Sequence, residues 1–147
     1  MRDFIRKLAY AIYQALSTPP YTRDVPSPRD IIPKSDINHD SLRCILTIKN
    51  IPPTIWLTDV ADTNSMDPTI DMGHTAILTN NIIYENLAVG DVVVYNVGSR
   101  DIIHRIIKIE TDSKGRKYTL KGDNNPSPDA CVVRDSHIEW LLLGVLY

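Results

Sequence analysis

The sequence predicts a mainly β protein, folded as a coiled antiparallel sheet or partly open barrel, with helix confined to the N-terminus. After Leu42, short runs of branched and aromatic residues alternate with clusters of Gly, Pro, Asn and Asp, which is the pattern of strands joined by turns. Many short strands without helical segments between them are typical of a single coiled sheet or barrel. The predicted strands are residues 43–48, 54–61, 75–79, 91–97, 101–110, 117–121 and 138–147.

The 147 residues have the size of one ordinary domain, and their patterning divides them into three segments. Residues 1–17 are predicted to form an amphipathic helix, because Phe4, Leu8 and later apolar residues recur at helical spacing. Residues 18–41 hold five of the ten prolines and little periodicity, which predicts a Pro-rich linker or surface arm. Residues 42–147 are the predicted β domain.

Composition and charge exclude several functional classes. A net charge of −2 argues against nucleic acid as a partner, since that kind of binding depends on neutralising phosphates. No window approaches the roughly twenty apolar residues of a membrane-spanning helix. Charged residues also interrupt the N-terminus, unlike the apolar core of a secretory signal. We therefore expect a soluble, cytoplasmic protein, with residues 1–40 available to dock on a partner protein or a membrane surface.

The two cysteines, Cys44 and Cys131, lie far apart in the sequence. No CxxC pair and no Cys/His spacing typical of zinc is present, so we expect neither a metal nor another cofactor. The sequence leaves open whether the two cysteines form a disulfide or remain thiols.

A candidate nucleophile, Ser65, lies in a polar turn that follows the predicted strand 54–61. Pro68 prevents the strand from continuing, so the serine hydroxyl should lie at a sheet edge where a substrate backbone could bind. An isolated Ser beside an Asn is also ordinary turn chemistry. The residues that follow decide between the two interpretations.

His104 lies in the middle of a predicted strand, on the same face as Ile102 and Ile106. It could be a core histidine bonded to a backbone carbonyl, or a general base. A base needs a second group to fix its tautomer, and Asp123 or Asp129, in a loop rich in Gly, Asn and Pro, could supply that carboxylate. A serine, a histidine and an aspartate would then form a hydrolytic triad.

Four segments follow one another along the chain: 65–69 (Ser-Met-Asp-Pro-Thr), 90–95 (Gly-Asp-Val-Val-Val-Tyr), 103–105 (Ile-His-Arg) and 121–125 (Lys-Gly-Asp-Asn-Asn) with Asp129. In this order they resemble the boxes of type I signal peptidases, particularly their archaeal and endoplasmic-reticulum branch. That superfamily also holds the LexA-type self-cleaving repressors. Bacterial signal peptidases carry Lys at the position of His104, whereas the branch named here carries His.

The resemblance implies a β fold of the signal peptidase and LexA type and the activity of a serine endopeptidase. Ser65 would attack the scissile carbonyl and His104 would take its proton, with Asp129, or else Asp123, orienting the imidazole. Candidate oxyanion and substrate-binding groups surround the nucleophile, and these are Thr63, Asn64 and Met66 together with the Ser65 N–H. The substrate would be a protein or peptide bound as an added strand, with small side chains near the cut.

Two alternatives use the same fold differently. One is a catalytically weak or inactive structural or assembly protein, which fits the replacement of the family's usual Gly before the nucleophile by Asn64 and of its Gly-Asp pair by Gly73-His74. The other is a self-cleaving regulator. Against the regulator, residues 1–40 are too short and Pro-rich for a helix-turn-helix domain.

Overall fold

The computed structural model describes residues 25–147. The predicted helix 1–17 and the start of the predicted linker lie outside the described residues. Within these described residues the chain forms eight strands and three short 3-10 turns, at Lys34–Asp36, Tyr84–Asn86 and Asp135–His137. The strands are β1 (Ile37–Asp40), β2 (Ile45–Ile48), β3 (Ile55–Asp59), β4 (Thr75–Thr79), β5 (Val92–Asn96), β6 (Asp101–Asp112), β7 (Gly115–Lys121) and β8 (Ile138–Leu146).

Six strands form one sheet in the order β3-β4-β8-β5-β6-β7, and every neighbouring pair is antiparallel. The prediction of a mainly β, antiparallel protein is therefore confirmed. Of the two forms that the sequence left open, the structure has an open sheet that does not close into a barrel. No helix within residues 25–147 is long and apolar enough to cross a membrane.

The centre of the sheet is β5, whose residues Val92–Tyr95 are all buried. Alternation divides them between two apolar layers. Val93 and Tyr95 pack with Ile106 and Leu120 on one face, whereas Val92 packs with Met66 on the other. His104 stands on the first face and its neighbours in sequence on the second, so β6 divides its side chains between both layers.

The hairpin of β1 and β2 stands apart from the main sheet, and the sequence analysis missed its first strand. The register runs from Ile37 opposite Ile48 to Asp40 opposite Ile45. All of β1 is exposed, so no alternation of apolar and polar burial marks it as a strand. Cys44, beside β2, and Cys131 are both free thiols, which answers the question of a disulfide.

Residues 26–29, within the predicted linker, contact the body of the domain. Arg29 Nε donates to Asp91 Oδ2 at 2.8 Å, and Arg105 donates to the carbonyl of Pro26 at 3.3 Å. A Cβ added to Gly90 would lie only 2.0 Å from the carbonyl oxygen of Ser27, so only glycine allows this approach. Docking of residues 1–40 on a partner or a membrane remains a prediction.

Candidate active site

The turn that carries Ser65 is anchored by buried residues on its C-terminal side. Met66 and Ile70 are each 1% exposed and pack in the core, and the N–H groups of Thr69 and Ile70 donate to the carbonyl of Met66. Ser65 itself is half-buried. A rigid turn therefore presents the hydroxyl where the chain leaves β3.

Asn64 has a φ of 55°, in the left-handed region that glycine favours. Asn is among the few other residues that adopt this conformation readily. Glycine would adopt this conformation at position 64 without strain, and Asn64 adopts it as well. Gly73-His74 stands where the resemblance predicts a Gly-Asp pair. His74 accepts a hydrogen bond from the Asp71 N–H at 3.0 Å and closes the turn around Gly73.

The loop after β7 fixes the backbone of the Ser65 turn. Asn124 donates twice, from its N–H to the carbonyl of Ser65 and from Nδ2 to the carbonyl of Asn64, each at 2.9 Å. A Cβ at Gly122 would lie 2.5 Å from the Ser65 carbonyl oxygen. The absence of a side chain at Gly122 allows the loop and the turn to meet.

Asp129 contacts the candidate base directly. Its Oδ2 lies 2.7 Å from Nδ1 of His104, and the two side chains are 14% and 8% exposed. A carboxylate only accepts hydrogen bonds, so Nδ1 donates and the neutral ring keeps Nε2 as an acceptor. That tautomer is the one a general base needs.

Asp123, the other carboxylate that the sequence proposed, lies on the opposite side of β6 and binds Arg105. The guanidinium donates to it from Nε at 2.8 Å and from Nη2 at 2.6 Å, and Thr69 Oγ1 donates to it at 2.6 Å. Among residues 25–147, the hydrogen bonds of this carboxylate go to Arg105 and Thr69 and none goes to His104. Asp123 links the C-terminal end of the Ser65 turn to β6.

Tyr95 is a residue at the site that the sequence analysis missed. Its hydroxyl donates to Asp129 Oδ2 at 2.9 Å. Burial and the neighbouring Asp129 carboxylate raise the pKa of Tyr95 well above its ordinary value. The signal was available, because strand alternation places Tyr95 on the face of β5 that adjoins His104, but a tyrosine in a strand is ordinarily read as core.

The structure brings the Ser65 turn and His104 to the same end of β6. Arg105 pairs with Lys121 on β7, and the next residue, Gly122, contacts the Ser65 carbonyl. Within residues 25–147, the Ser65 hydroxyl bonds to Thr63 Oγ1 at 3.1 Å and forms no hydrogen bond with His104. The Ser65 N–H donates to no group of the described chain, and the roles of this N–H and of the Thr63 hydroxyl as oxyanion donors remain a prediction.

A groove has a volume of about 440 Å³. One side of it is formed by β3 and the residues from β3 to Ser65, and the other by the start of β6. Thr63 and Ser65 line it, whereas Asn64 and Met66, also predicted to bind substrate, do not. Small and aliphatic side chains form much of its wall. They include Ala61, Ala76, Leu78, Val94, Ile102 and Ile103. In the part of the chain that the structure describes, no cluster of His, Cys, Asp or Glu could hold a metal ion.

Within residues 25–147, His104 bonds Asp129 and the Ser65 turn meets the loop after β7, while a Ser-His-Asp catalytic site remains a proposal. The chain is similar to the signal peptidase complex catalytic subunit SEC11 of three fungi. Identity is 43% over 68 residues for Metarhizium robertsii, 41% over 68 for Metarhizium acridum and 39% over 67 for Pyricularia oryzae. The predicted resemblance to type I signal peptidases is confirmed.

Each of these matches covers 44% of this chain and 39% of the relative, so the matched part spans less than half of the relative's length. No family profile matches the chain. No solved structure matches it either. The similarity therefore supports a function of the signal peptidase type without assigning the individual site residues.

The predicted cytoplasmic location is wrong. The relatives are catalytic subunits of the signal peptidase complex, of the endoplasmic-reticulum branch indicated by the motifs, and this conflicts with a cytoplasmic protein. The prediction rested on the absence of an apolar span and of a secretory signal. Neither absence specifies a compartment.

Proposed function

We propose that this chain is a serine endopeptidase of the signal peptidase type, with Ser65 as nucleophile, His104 as general base and Asp129 as the group that orients it. The hydrogen bond of 2.7 Å between Asp129 Oδ2 and His104 Nδ1 carries the proposal. A histidine that served only the core would more often bond a backbone carbonyl, so the contact with a carboxylate supports the role of base. The similarity to SEC11 subunits supports the same class of reaction.

The proposed reaction is acyl transfer in two steps. The Ser65 hydroxyl attacks the scissile carbonyl while His104 Nε2 takes its proton, and the Ser65 N–H with the Thr63 hydroxyl stabilises the oxyanion. The imidazolium then protonates the leaving amine, which departs from the acyl-enzyme. A water molecule, activated by the same imidazole, hydrolyses the ester and restores Ser65.

The proposed substrate is an extended peptide in the groove beside Ser65. Among residues 25–147, β3 is an edge strand of the sheet and pairs on one side only, so its other side could accept an added strand. Ala61 and Ala76 leave space in the groove, but the half-buried setting of Ser65 restricts the approach of large side chains. This combination favours cleavage after small residues.

A fluorophosphonate probe tests the proposal. We expect it to label the wild-type protein and to leave Ser65→Ala unlabelled, because only an activated serine reacts. Ser41→Ala is the control, since Ser41 lies beside a histidine, with its Oγ 3.4 Å from His39 Nδ1, but outside the candidate site. Its labelling should equal that of the wild type.

Hydrolysis of an Ala-rich peptide gives the second readout. The wild type should cleave it, and Ser65→Ala and His104→Gln should both lose nearly all activity while keeping the wild-type melting curve. Labelling that persists in Ser65→Ala would refute the nucleophile. A folded wild type that neither reacts nor cleaves would favour the non-enzymatic assembly protein.

A further inference from the structure

Tyr95 and His104 are diagonal neighbours on one face of the sheet. In the β5–β6 register, Val93 lies opposite His104 and Tyr95 opposite Ile102. The two rings have centroids 6.4 Å apart at an angle of 51°. The Tyr95 hydroxyl and His104 Nδ1 converge on a single atom, Asp129 Oδ2, at 2.9 and 2.7 Å.

Asp129 needs such support because it lies in a loop. Residues 122–134, between β7 and the next 3-10 turn, form no strand apart from the isolated bridge of Val133 to Tyr118. The Asp129 backbone is held by its N–H, which donates to the carbonyl of Leu120 at 2.9 Å. That bond fixes the main chain but leaves the side-chain torsions free.

We propose that Tyr95 is a positioning residue for the reaction proposed above: its hydroxyl holds Asp129 Oδ2 in the plane and at the distance where it fixes the tautomer of His104. Tyr95 does not line the substrate groove and touches no reacting atom. Its contribution passes entirely through Asp129.

Two properties suit Tyr95 to this task. It is 1% exposed, and because burial and Asp129 raise its pKa, its hydroxyl stays protonated and remains a donor at any working pH. Among the described residues, the titratable groups that contact it are Asp129, His104 and Cys131, and the Cys131 Sγ lies 3.9 Å from the hydroxyl. Donation to Oδ2 also withdraws part of the negative charge that would otherwise stabilise the imidazolium.

Tyr118 provides a matched control within the same core. It is also 1% exposed, and its hydroxyl donates to a carboxylate, Asp135 Oδ1, at 2.6 Å. Burial and Asp135 raise its pKa as well. Tyr118→Phe thus removes the same kind of bond from a comparable site without changing Asp129.

The test compares Tyr95→Phe with Tyr118→Phe in peptide hydrolysis. Tyr95→Phe should lower kcat by roughly ten- to one-hundredfold, the effect of losing one hydrogen bond to a charged group. KM should stay within about twofold of the wild type, because the groove is untouched. The acid limb of the pH profile should move to higher pH, since the unshared carboxylate favours the imidazolium. Tyr118→Phe should leave kcat, KM and the acid limb of the pH profile unchanged.

A double-mutant cycle shows whether Tyr95 acts through Asp129. Adding Tyr95→Phe to Asp129→Asn should cost little further activity, because the group that Tyr95 positions is already lost. A full additional loss in the double variant would overturn the proposed route. The melting curve of each variant is measured first, and all activities are compared at a temperature at which every variant is folded.

A readout independent of turnover comes from the proton NMR signal of His104 Nδ1–H, assigned by its loss in His104→Gln. We expect the signal to shift or broaden in Tyr95→Phe and to stay unchanged in Tyr118→Phe. Wild-type kcat together with an unchanged signal in Tyr95→Phe would overturn the inference. If the wild type cleaves nothing, the proposed function fails. The NMR comparison still decides whether Tyr95 positions the pair formed by Asp129 and His104.

Discussion

Thr63 supplies a hydroxyl at the candidate nucleophile, with its Oγ1 3.1 Å from Ser65 Oγ. A donor at this position can stabilise the oxyanion that forms as Ser65 attacks. We predict that Thr63→Val lowers kcat on the order of a hundredfold or more, as for other oxyanion donors, with a smaller effect on KM. Steady-state kinetics on a small-residue peptide measures both.

Two variants make the Thr63 result specific. Thr63→Ser keeps the hydroxyl and should retain most of the activity. Thr58→Val changes another groove threonine, whose hydroxyl donates to the carbonyl of Asp59, and should leave kcat near that of the wild type. If Thr63→Val were as active as Thr63→Ser, the hydroxyl would have no part in the reaction.

At this scale the sequence identified Ser65 and His104 as candidates but could not choose between Asp123 and Asp129. Both carboxylates lie in one loop rich in turn formers. The choice depends on a long-range contact, because Arg105, on the other face of β6 from His104, binds Asp123. Alternation predicts the face of Arg105, but no sequence pattern gives its partner.

The contact between β6 and the loop after β7 depends on this buried ion pair. Arg105 and Asp123 have side chains 4% and 2% exposed, so neither charge is solvated alone. We predict that Asp123→Asn lowers the free energy of unfolding by about 3 to 5 kcal/mol, since it leaves the guanidinium buried without its counter-charge. Urea denaturation followed by tryptophan fluorescence measures the change.

A second variant separates charge from packing. Replacing both partners, as Arg105→Met with Asp123→Leu, removes both buried charges and should be less destabilising than Asp123→Asn alone. Lys108→Met is a surface control from the same strand, because its pair with Glu110 is exposed and should contribute little to stability. Equal losses in all three variants would show that the buried pair has no special role.

Strands were predicted where packing leaves a pattern in the sequence. The predicted runs at 75–79 and 91–97 correspond to β4 and β5, which lie inside the main sheet. β1 was missed because its four residues are all exposed and pair only with β2. A strand that buries nothing shows no alternation, so periodicity cannot find it.

The folded domain includes residues that precede the predicted β segment 42–147. Composition marked residues 18–41 as a linker, because prolines and charges outnumber apolar side chains there. Arg29 nevertheless meets Asp91, whose side chain is fully buried. Composition could not reveal this, since the partner lies 62 residues further along the chain.

The arm should therefore stabilise the domain through Arg29. Asp91 Oδ2 accepts from Arg29 Nε and from the Ala88 N–H, while its Oδ1 has no hydrogen-bond partner within residues 25–147. Without the guanidinium this carboxylate would be buried with a single donor, so we predict that Arg29→Met lowers the free energy of unfolding by about 1 to 3 kcal/mol. The matched control is Arg43→Met, whose partner Asp40 lies 3.8 Å away in an exposed pair that should contribute about 1 kcal/mol or less. Urea denaturation of the full chain compares the two variants. A loss in Arg29→Met no larger than in Arg43→Met would mean that the arm rests on the domain without stabilising it.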